Sequence, residues 1–335
     1  MSLINSPLVP TSRIAAVEAA LVAAFGTSAV TDLSLLAGGL STSPVYKIVV
    51  DNKSYVLKLN APATNTTLAN PLALAAAAGI APPLYYQDLA TGISISGFVD
   101  NKPIRAALEP GKLIAGLAAI IKAIHSVPCE VEGDDLLETV DAMIDKFRQS
   151  KILSGAVPDE CFEHYEKIRE RYPWKDTNKV FSHNDLNPSN IVYDGERIWI
   201  IDWDVAFLND RYIDLANVAN FFAHTGEQEN ILLNAYFDNA VDEYKKARFF
   251  IMRQVCRIIY AMLMFQLAAQ GKPADYLHNQ EMEGISLREF GALMGAGKLS
   301  LAAYEGQLMF GKALLNEALH QMRSPRFESA LAQLV

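Results

Sequence analysis

The hydrophobic period of this chain changes along its length, and that change limits the folds open to it. Over residues 31–59 the sequence runs in short β-rich stretches, LSLLA, VYKIVV and SYVLKLN, separated by Gly38-Gly39 and by Asp51-Asn52-Lys53, both of which are turn signals. The pattern predicts an antiparallel meander, preceded by a helix on which Ile14, Val17 and Leu21 repeat at helical spacing. An Ala-rich helix is expected at about 68–78, ending at Gly79, and PPLYYQD and GISISGFV then read as two more strands joined at Ala90-Thr91-Gly92. From about Lys112 the spacing turns helical, with Leu113, Leu117, Ile120, Ile121 and Ile124 on one stripe. The exception is 179–202, where VFSHND, NIVYD and RIWIID read as strands within helical surroundings. This is an α+β layout: a small antiparallel β lobe over 1–99 and a larger helical lobe over 100–335.

Composition narrows the possible partners. The 335 residues, 51% hydrophobic and 20% charged, can bury a substantial core and suit two domains. A formal charge of −9 argues against nucleic acid, whose binding needs a basic face, and is compatible with solubility or a cationic partner. Cys129, Cys161 and Cys256 are odd in number and lack C-x-x-C spacing, so neither a disulfide framework nor a thiolate metal site is expected. No signal-peptide pattern opens the chain, because Glu18 interrupts its first apolar stretch, and a cytoplasmic location is expected. The apolar stretch 249–269 contains Arg253 and Arg257 and is expected to be a buried helix, with no membrane span. His125 is expected simply to end its helix, and nothing in the sequence sets an oligomeric state.

The most specific segment is His183-Asn184-Asp185-Leu186-Asn187-Pro188-Ser189-Asn190, which has the H-x-D-L-x-x-x-N spacing of a kinase catalytic loop. With average residue usage its four fixed positions should match by chance on the order of one time in a thousand in a chain of this length. Local geometry adds an independent argument. Asn190 opens NIVYD, Asp194-Gly195 is a hairpin turn signal, and RIWIID returns to Asp202, so the two strands should pair antiparallel. Counting outward from a loop of two or three residues sets Asn190 opposite residue 199 or 200 and brings its amide to the Asp202 carboxylate, with Asp185 one short loop away. Hard oxygens gathered at a strand end suit magnesium bound to phosphates; the plain alternative is that Asn190 and Asp202 cap turns. Asp204, two residues past Asp202, points to the same side if the strand continues, as a second metal ligand, a contact to a cationic substrate or a solvated carboxylate.

In SHNDLNPSNIVYDG, IIDWDVA and NDRYIDLANVANFF the chain resembles the choline/ethanolamine kinase and aminoglycoside phosphotransferase superfamily, whose members share the protein-kinase-like two-lobe fold. The resemblance implies an ATP- and magnesium-dependent transfer of phosphate to a small-molecule hydroxyl. It casts Asp185 as the acceptor of the hydroxyl proton, and Asn190 and Asp202 as the residues holding Mg2+ on ATP. Asp214 matches an aspartate that braces the catalytic loop, and stands equally well as a helix N-terminal acid. His183 is expected to support the loop by hydrogen bonds.

Gly38, Gly39, Ser41 and Thr42 resemble the short GG-x-S phosphate loop of that superfamily, although Gly-Gly between strands is also an ordinary turn. Lys58, out of phase with Tyr55, Leu57 and Leu59, matches the lysine that contacts the α and β phosphates; otherwise it is a solvated lysine on a half-exposed sheet. The superfamily glutamate that pairs with it is missing: residues 64–78 contain no acid, and Asn70 is the nearest polar candidate. That departure leaves a catalytically inactive kinase-fold binding protein as one reading. The resemblance sets adenine against the backbone around Ser96 and Phe98. For the acceptor, NDRYIDLAN and nearby aromatic residues favour a cationic small molecule such as choline or ethanolamine, with Tyr260 and Phe265 as cage candidates where choline kinases carry tryptophans. A Met and aromatic stripe is also what a core helix shows. An aminoglycoside or other small-molecule acceptor is the alternative, with Asp204, Glu227, Glu229, Asp242 and Glu243 as carboxylates for a polycation.

Overall fold

A computed structural model describes residues 4, 7–36, 43–63, 70–175, 178–272, 281 and 286–334. They form an α+β protein with one five-stranded antiparallel sheet and a mostly helical remainder, divided into two compact units. The first unit is Met1–Val131 with Asp185–Leu208, and the second is Glu132–Asn184 with Asn209–Val335.

The sheet of the first unit contains β1 (Asp32–Leu35), β2 (Val45–Val50), β3 (Lys53–Leu59), β4 (Leu84–Asp88) and β5 (Ile93–Gly97), in the order β1-β2-β3-β5-β4. Its first three strands are the expected meander. Asp51 and Asn52, both at positive φ, make the two-residue turn that pairs Val50 with Lys53, a geometry Asn and Asp tolerate better than most residues. Tyr46, Ile48, Val50, Tyr55, Leu57, Leu59, Ile93 and Ile95 alternate onto one face and form a single core with Val17, Ala20 and Leu21 of the helix Ile14–Phe25. The end of β3 is fixed from outside the sheet. Gly92 approaches so closely that a Cβ there would lie 2.3 Å from the Asn60 carbonyl oxygen, at a φ of +67° that also favours glycine. Arg13 donates to the carbonyls of Asn60 and Thr91.

Strands Ile191–Tyr193 and Ile198–Ile200 form a hairpin in the same unit. Asn101 Oδ1 accepts from Tyr193 N at 2.9 Å, Lys102 N donates to Tyr193 O at 2.7 Å, and Ile200 N donates to Ile80 O at 3.0 Å. These bonds connect the hairpin to segments far earlier in the chain.

The second unit is built around the helix Glu243–Gly271, which packs against Tyr304–Met322, Tyr212–Phe222, Leu136–Ser150 and Pro325–Ala332. It is the one helix among the described residues long and apolar enough to cross a bilayer, and most of its apolar window is buried inside the protein. Its buried cations are paired: Arg248 with Asp210 at 2.7 Å, Arg253 with Glu229 and with Asn220 Oδ1 at 3.0 Å, and Arg257 with Gln254 Oε1 at 2.6 Å and Glu317 at 3.8 Å. Burial and the neighbouring Arg253 bring the Arg257 guanidinium down to about 9. Cys129, Cys161 and Cys256 are free thiols. His125 is the last residue of the helix Pro110–His125.

Candidate active site

Asp185 begins a tight loop in the first unit. Asn187 N donates to the Asp185 carbonyl at 2.9 Å, and Asn190 N to the Asn187 carbonyl at 3.1 Å. The Asp185 carboxylate is held by amide donors: Asn187 Nδ2 lies 3.0 Å from each of its oxygens, and Asn190 Nδ2 lies 2.9 Å from Oδ2. An ionised carboxylate only accepts, so the two amides fix its orientation without requiring a proton on it. Asn190, 6% exposed, also donates to the Asp185 carbonyl at 2.9 Å, which commits its NH2 and leaves the amide oxygen as its remaining polar group.

The hairpin then delivers Asp202, but in a register different from the expected one. Its turn centres on Gly195-Glu196, not on Asp194-Gly195, so Asn190 stands opposite Ile201, whose N–H donates to the Asn190 carbonyl at 3.0 Å. The side chain of Asp194 causes the shift. Its Oδ1 accepts from Glu196 N and Arg197 N, both at 2.8 Å, which makes Asp194 the first residue of the turn. Trp199 Nε1 donates to its Oδ2 at 2.7 Å, and this bond with the backbone donors lowers the Asp194 carboxyl to about 2.

The strand ends at Ile200, and Asp202 adopts a φ of +63°, uncommon for a residue with a Cβ. Asp204 therefore does not reach the side of Asp202 by strand alternation, as the sequence suggested, since it lies in a turn. The two carboxylates nevertheless meet one cation: Lys58 Nζ is 2.7 Å from Asp202 Oδ1 and 2.7 Å from Asp204 Oδ2. Burial alone would lower the Lys58 ammonium, but Asp204 and Asp202 outweigh it and leave it raised. Asn60, the residue just past the end of β3, donates its amide to Asp204 Oδ1 at 3.2 Å. Lys58 thus finds two acids although residues 64–78 supply none. Asn70 is no substitute partner, because its side-chain oxygen caps the helix Pro71–Ala77 by accepting from Leu72 N and Ala73 N.

The donor set suits magnesium. Asn190, Asp202 and Asp204 offer hard oxygens, and no group of three or more His, Cys, Asp or Glu among the described residues forms a self-contained metal cage. Magnesium is commonly held by one or two carboxylates together with substrate phosphates.

Of the other predicted residues, Gly38, Gly39, Ser41 and Thr42 lie outside the described residues. Ser96 is in β5 opposite Val56 and Leu84; Phe98 N donates to Ser54 O at 3.4 Å, and Lys47 Nζ lies 4.6 Å from the centre of its ring. His183 and Asp214 meet in the second unit, both fully buried: Asp214, in the first turn of Tyr212–Phe222, accepts from His183 N at 2.9 Å and from Asn184 N at 2.8 Å. Tyr260 is partly exposed and stands edge-on to Phe221 at 5.8 Å. Phe265 is core: 1% exposed, it packs 5.1 Å from Phe147 and closely beneath Gly311, so the pairing of Tyr260 and Phe265 in one cage is corrected. Five residues apart on a helix, the two side chains point about 140° apart.

Asn187 and Asn60 were not anticipated as site residues. Asn187 fills a variable position of the motif, where only the Asn-Pro-Ser turn tendency marks it. Asn60 closes the run SYVLKLN two residues after Lys58, where alternation along the sequence sets it on the side of Lys58.

Comparison with known proteins bears on the family and the fold. The profile of the phosphotransferase enzyme family matches residues 32–250. The chain is 21% identical over 178 residues to Protein LicA of Haemophilus influenzae, covering 51% of this chain and 65% of the relative. It thus spans less than two thirds of that relative's length. A choline/ethanolamine kinase family protein from Mesorhizobium loti superposes with a TM-score of 0.63 at 20% identity, covering 90% of this chain and 92% of its own. A spectinomycin phosphotransferase in complex with ADP and spectinomycin superposes with a TM-score of 0.55 at 16% identity, covering 91% and 94%.

Proposed function

The chain belongs to the phosphotransferase enzyme family, and on that footing we propose that it transfers the γ-phosphoryl group of ATP to the hydroxyl of a small amino alcohol, choline or ethanolamine. The observation carrying the reading is the assembly of Asp185, Asn190, Asp202 and Lys58 from three separate stretches of the chain, within one compact unit. Asp185, oriented by two amides, accepts the proton of the acceptor hydroxyl as that oxygen attacks phosphorus. Asn190 and Asp202 would hold Mg2+ through their oxygens, and the ion supplies charge neutralisation at the phosphates when bound. Lys58 would contact the α and β phosphates, and Asp202 and Asp204 keep its ammonium charged and in place. Asp204 answers for the acid missing from 64–78, which favours an active enzyme over a degenerate one.

For the acceptor, the support is the NDRYIDLAN segment, which resembles choline/ethanolamine kinases. A spectinomycin enzyme shares the fold nearly as well, so the substrate rests on side chains and not on architecture. Tyr260, partly exposed and beside Phe221, supplies a ring whose face attracts a quaternary ammonium by about 0.5–2 kcal/mol. The test is ADP release from Mg·ATP in the presence of choline, ethanolamine, spectinomycin or kanamycin. Release with an amino alcohol supports the proposal, release only with an antibiotic shifts the acceptor, and ligand stabilisation without any ADP identifies a binding protein.

A further inference from the structure

Asn184 immediately precedes Asp185 and has a left-handed backbone, with a φ of +66°. Each of its four hydrogen-bonding groups is engaged. Its N–H donates to Asp214 Oδ1 at 2.8 Å, its carbonyl accepts from Asn217 Nδ2 at 3.1 Å, its Oδ1 accepts from Asn209 Nδ2 at 3.0 Å, and its Nδ2 donates to Ser182 O at 3.3 Å. We propose that Asn209 and Asn217 are positioning residues that lock Asn184 in this conformation and so set the direction in which the chain delivers Asp185. The proposal rests on the reading of Asp185 as the base.

Two observations separate positioning from plain stabilisation. The clamp acts on a residue in a sparsely populated backbone region, which persists only where surrounding bonds determine it. The second is the imbalance at Asn217, which is 2% exposed and whose Oδ1 has no hydrogen-bond partner among the described residues. A buried amide satisfied on one side only stabilises less than a fully bonded one, because its bare oxygen offsets part of what its donated bond contributes. What leucine cannot supply at 217 is the N–H donated to Asn184. Asn209 is similarly buried, at 6% exposure, and fixes its own amide by accepting from Asp210 N at 2.9 Å, which aims its NH2 at Asn184.

The test uses the full chain with Asn217→Leu, Asn209→Leu, Asn184→Ala, Asn184→Gly and Asp185→Asn. Three quantities are measured: the urea midpoint, hydrogen exchange of the peptide spanning 183–190, and steady-state ADP release with choline as probe. Asn217→Leu is expected to change the midpoint by too little to account for its loss of rate, to speed exchange at 183–190 about 5- to 10-fold for the loss of one hydrogen bond, and to lower kcat on the order of 10- to 100-fold with KM for ATP within about 2-fold. Asn209→Leu should give the same pattern. Asn184→Ala should lose rate, whereas Asn184→Gly, which enters the left-handed region without penalty and retains the backbone bonds, should recover most of it. Unchanged exchange at 183–190 in both leucine variants overturns the proposal even if no turnover is found. So does a fall in midpoint that accounts for all loss of rate. If Asp185→Asn remains active while the leucine variants loosen the loop, the reading of Asp185 fails and the clamp stands.

Discussion

Gly311 lies inside the helix Tyr304–Met322, where alanine would ordinarily be the better residue by about 1 kcal/mol. Its surroundings reverse that expectation. A Cβ at 311 would be 2.7, 2.9 and 3.0 Å from Cε1, Cδ1 and Cζ of Phe265, a ring backed by Phe147 at 5.1 Å. Overpacking of this kind costs about 1–3 kcal/mol, so Gly311→Ala should destabilise the protein by about 1 kcal/mol net. Phe265→Leu vacates part of that space, and in its background Gly311→Ala should become neutral or stabilising, a coupling of about 1–2 kcal/mol in the double-mutant cycle. Urea unfolding of the four proteins measures it. If Gly311→Ala stabilises the wild type by the full helix-propensity gain, the ring has room to yield and the assignment of Phe265 to the packed core is wrong. The acceptor KM should not change in Gly311→Ala, because a core ring touches no substrate.

Three further outcomes follow from the site. Asp202→Ala should abolish the magnesium-dependent part of nucleotide affinity in a calorimetric titration, and an unchanged Mg·ATP affinity would refute its role as ligand. Tyr260→Ala should raise the KM for choline by roughly 2- to 30-fold from the energy of one cation–π contact, with ATP kinetics unaffected; no change would assign Tyr260 to packing. Asp194 has a depressed pKa, so its contribution to stability is complete above its ordinary value of 3.8 and is lost as pH falls towards about 2. Wild type should therefore lose stability relative to Asp194→Asn across that window, read from Trp199 fluorescence, and parallel curves would show that the turn contacts do not hold the carboxylate ionised.

How far the sequence revealed this protein depended on the range of the interaction. The strands of the sheet are encoded locally: Tyr55, Leu57 and Leu59 alternate with Lys58, and burial follows that alternation residue by residue. The spacing of the loop from His183 to Asn190 was equally plain, because the loop is one continuous segment. The hairpin register was missed because the Asp194 side chain moved the turn by capping it, an effect that counting along strands does not include. The partners of Lys58 lie 144 and 146 residues away and leave no local trace. Phe265 was ambiguous for a different reason. The helix Glu243–Gly271 is buried on nearly all sides, so its apolar period does not indicate which aromatic faces a cleft and which faces the core.

The central claim is that Asp185 is the base of a phosphoryl transfer, and the near-isosteric Asp185→Asn tests it most directly. Asparagine fills the same space, so calorimetric Mg·ATP affinity should remain within about 3-fold of wild type while kcat falls by about 10²–10⁴, the usual contribution of a positioned base. Retention of more than about a tenth of the wild-type kcat, with nucleotide affinity intact, would contradict the account.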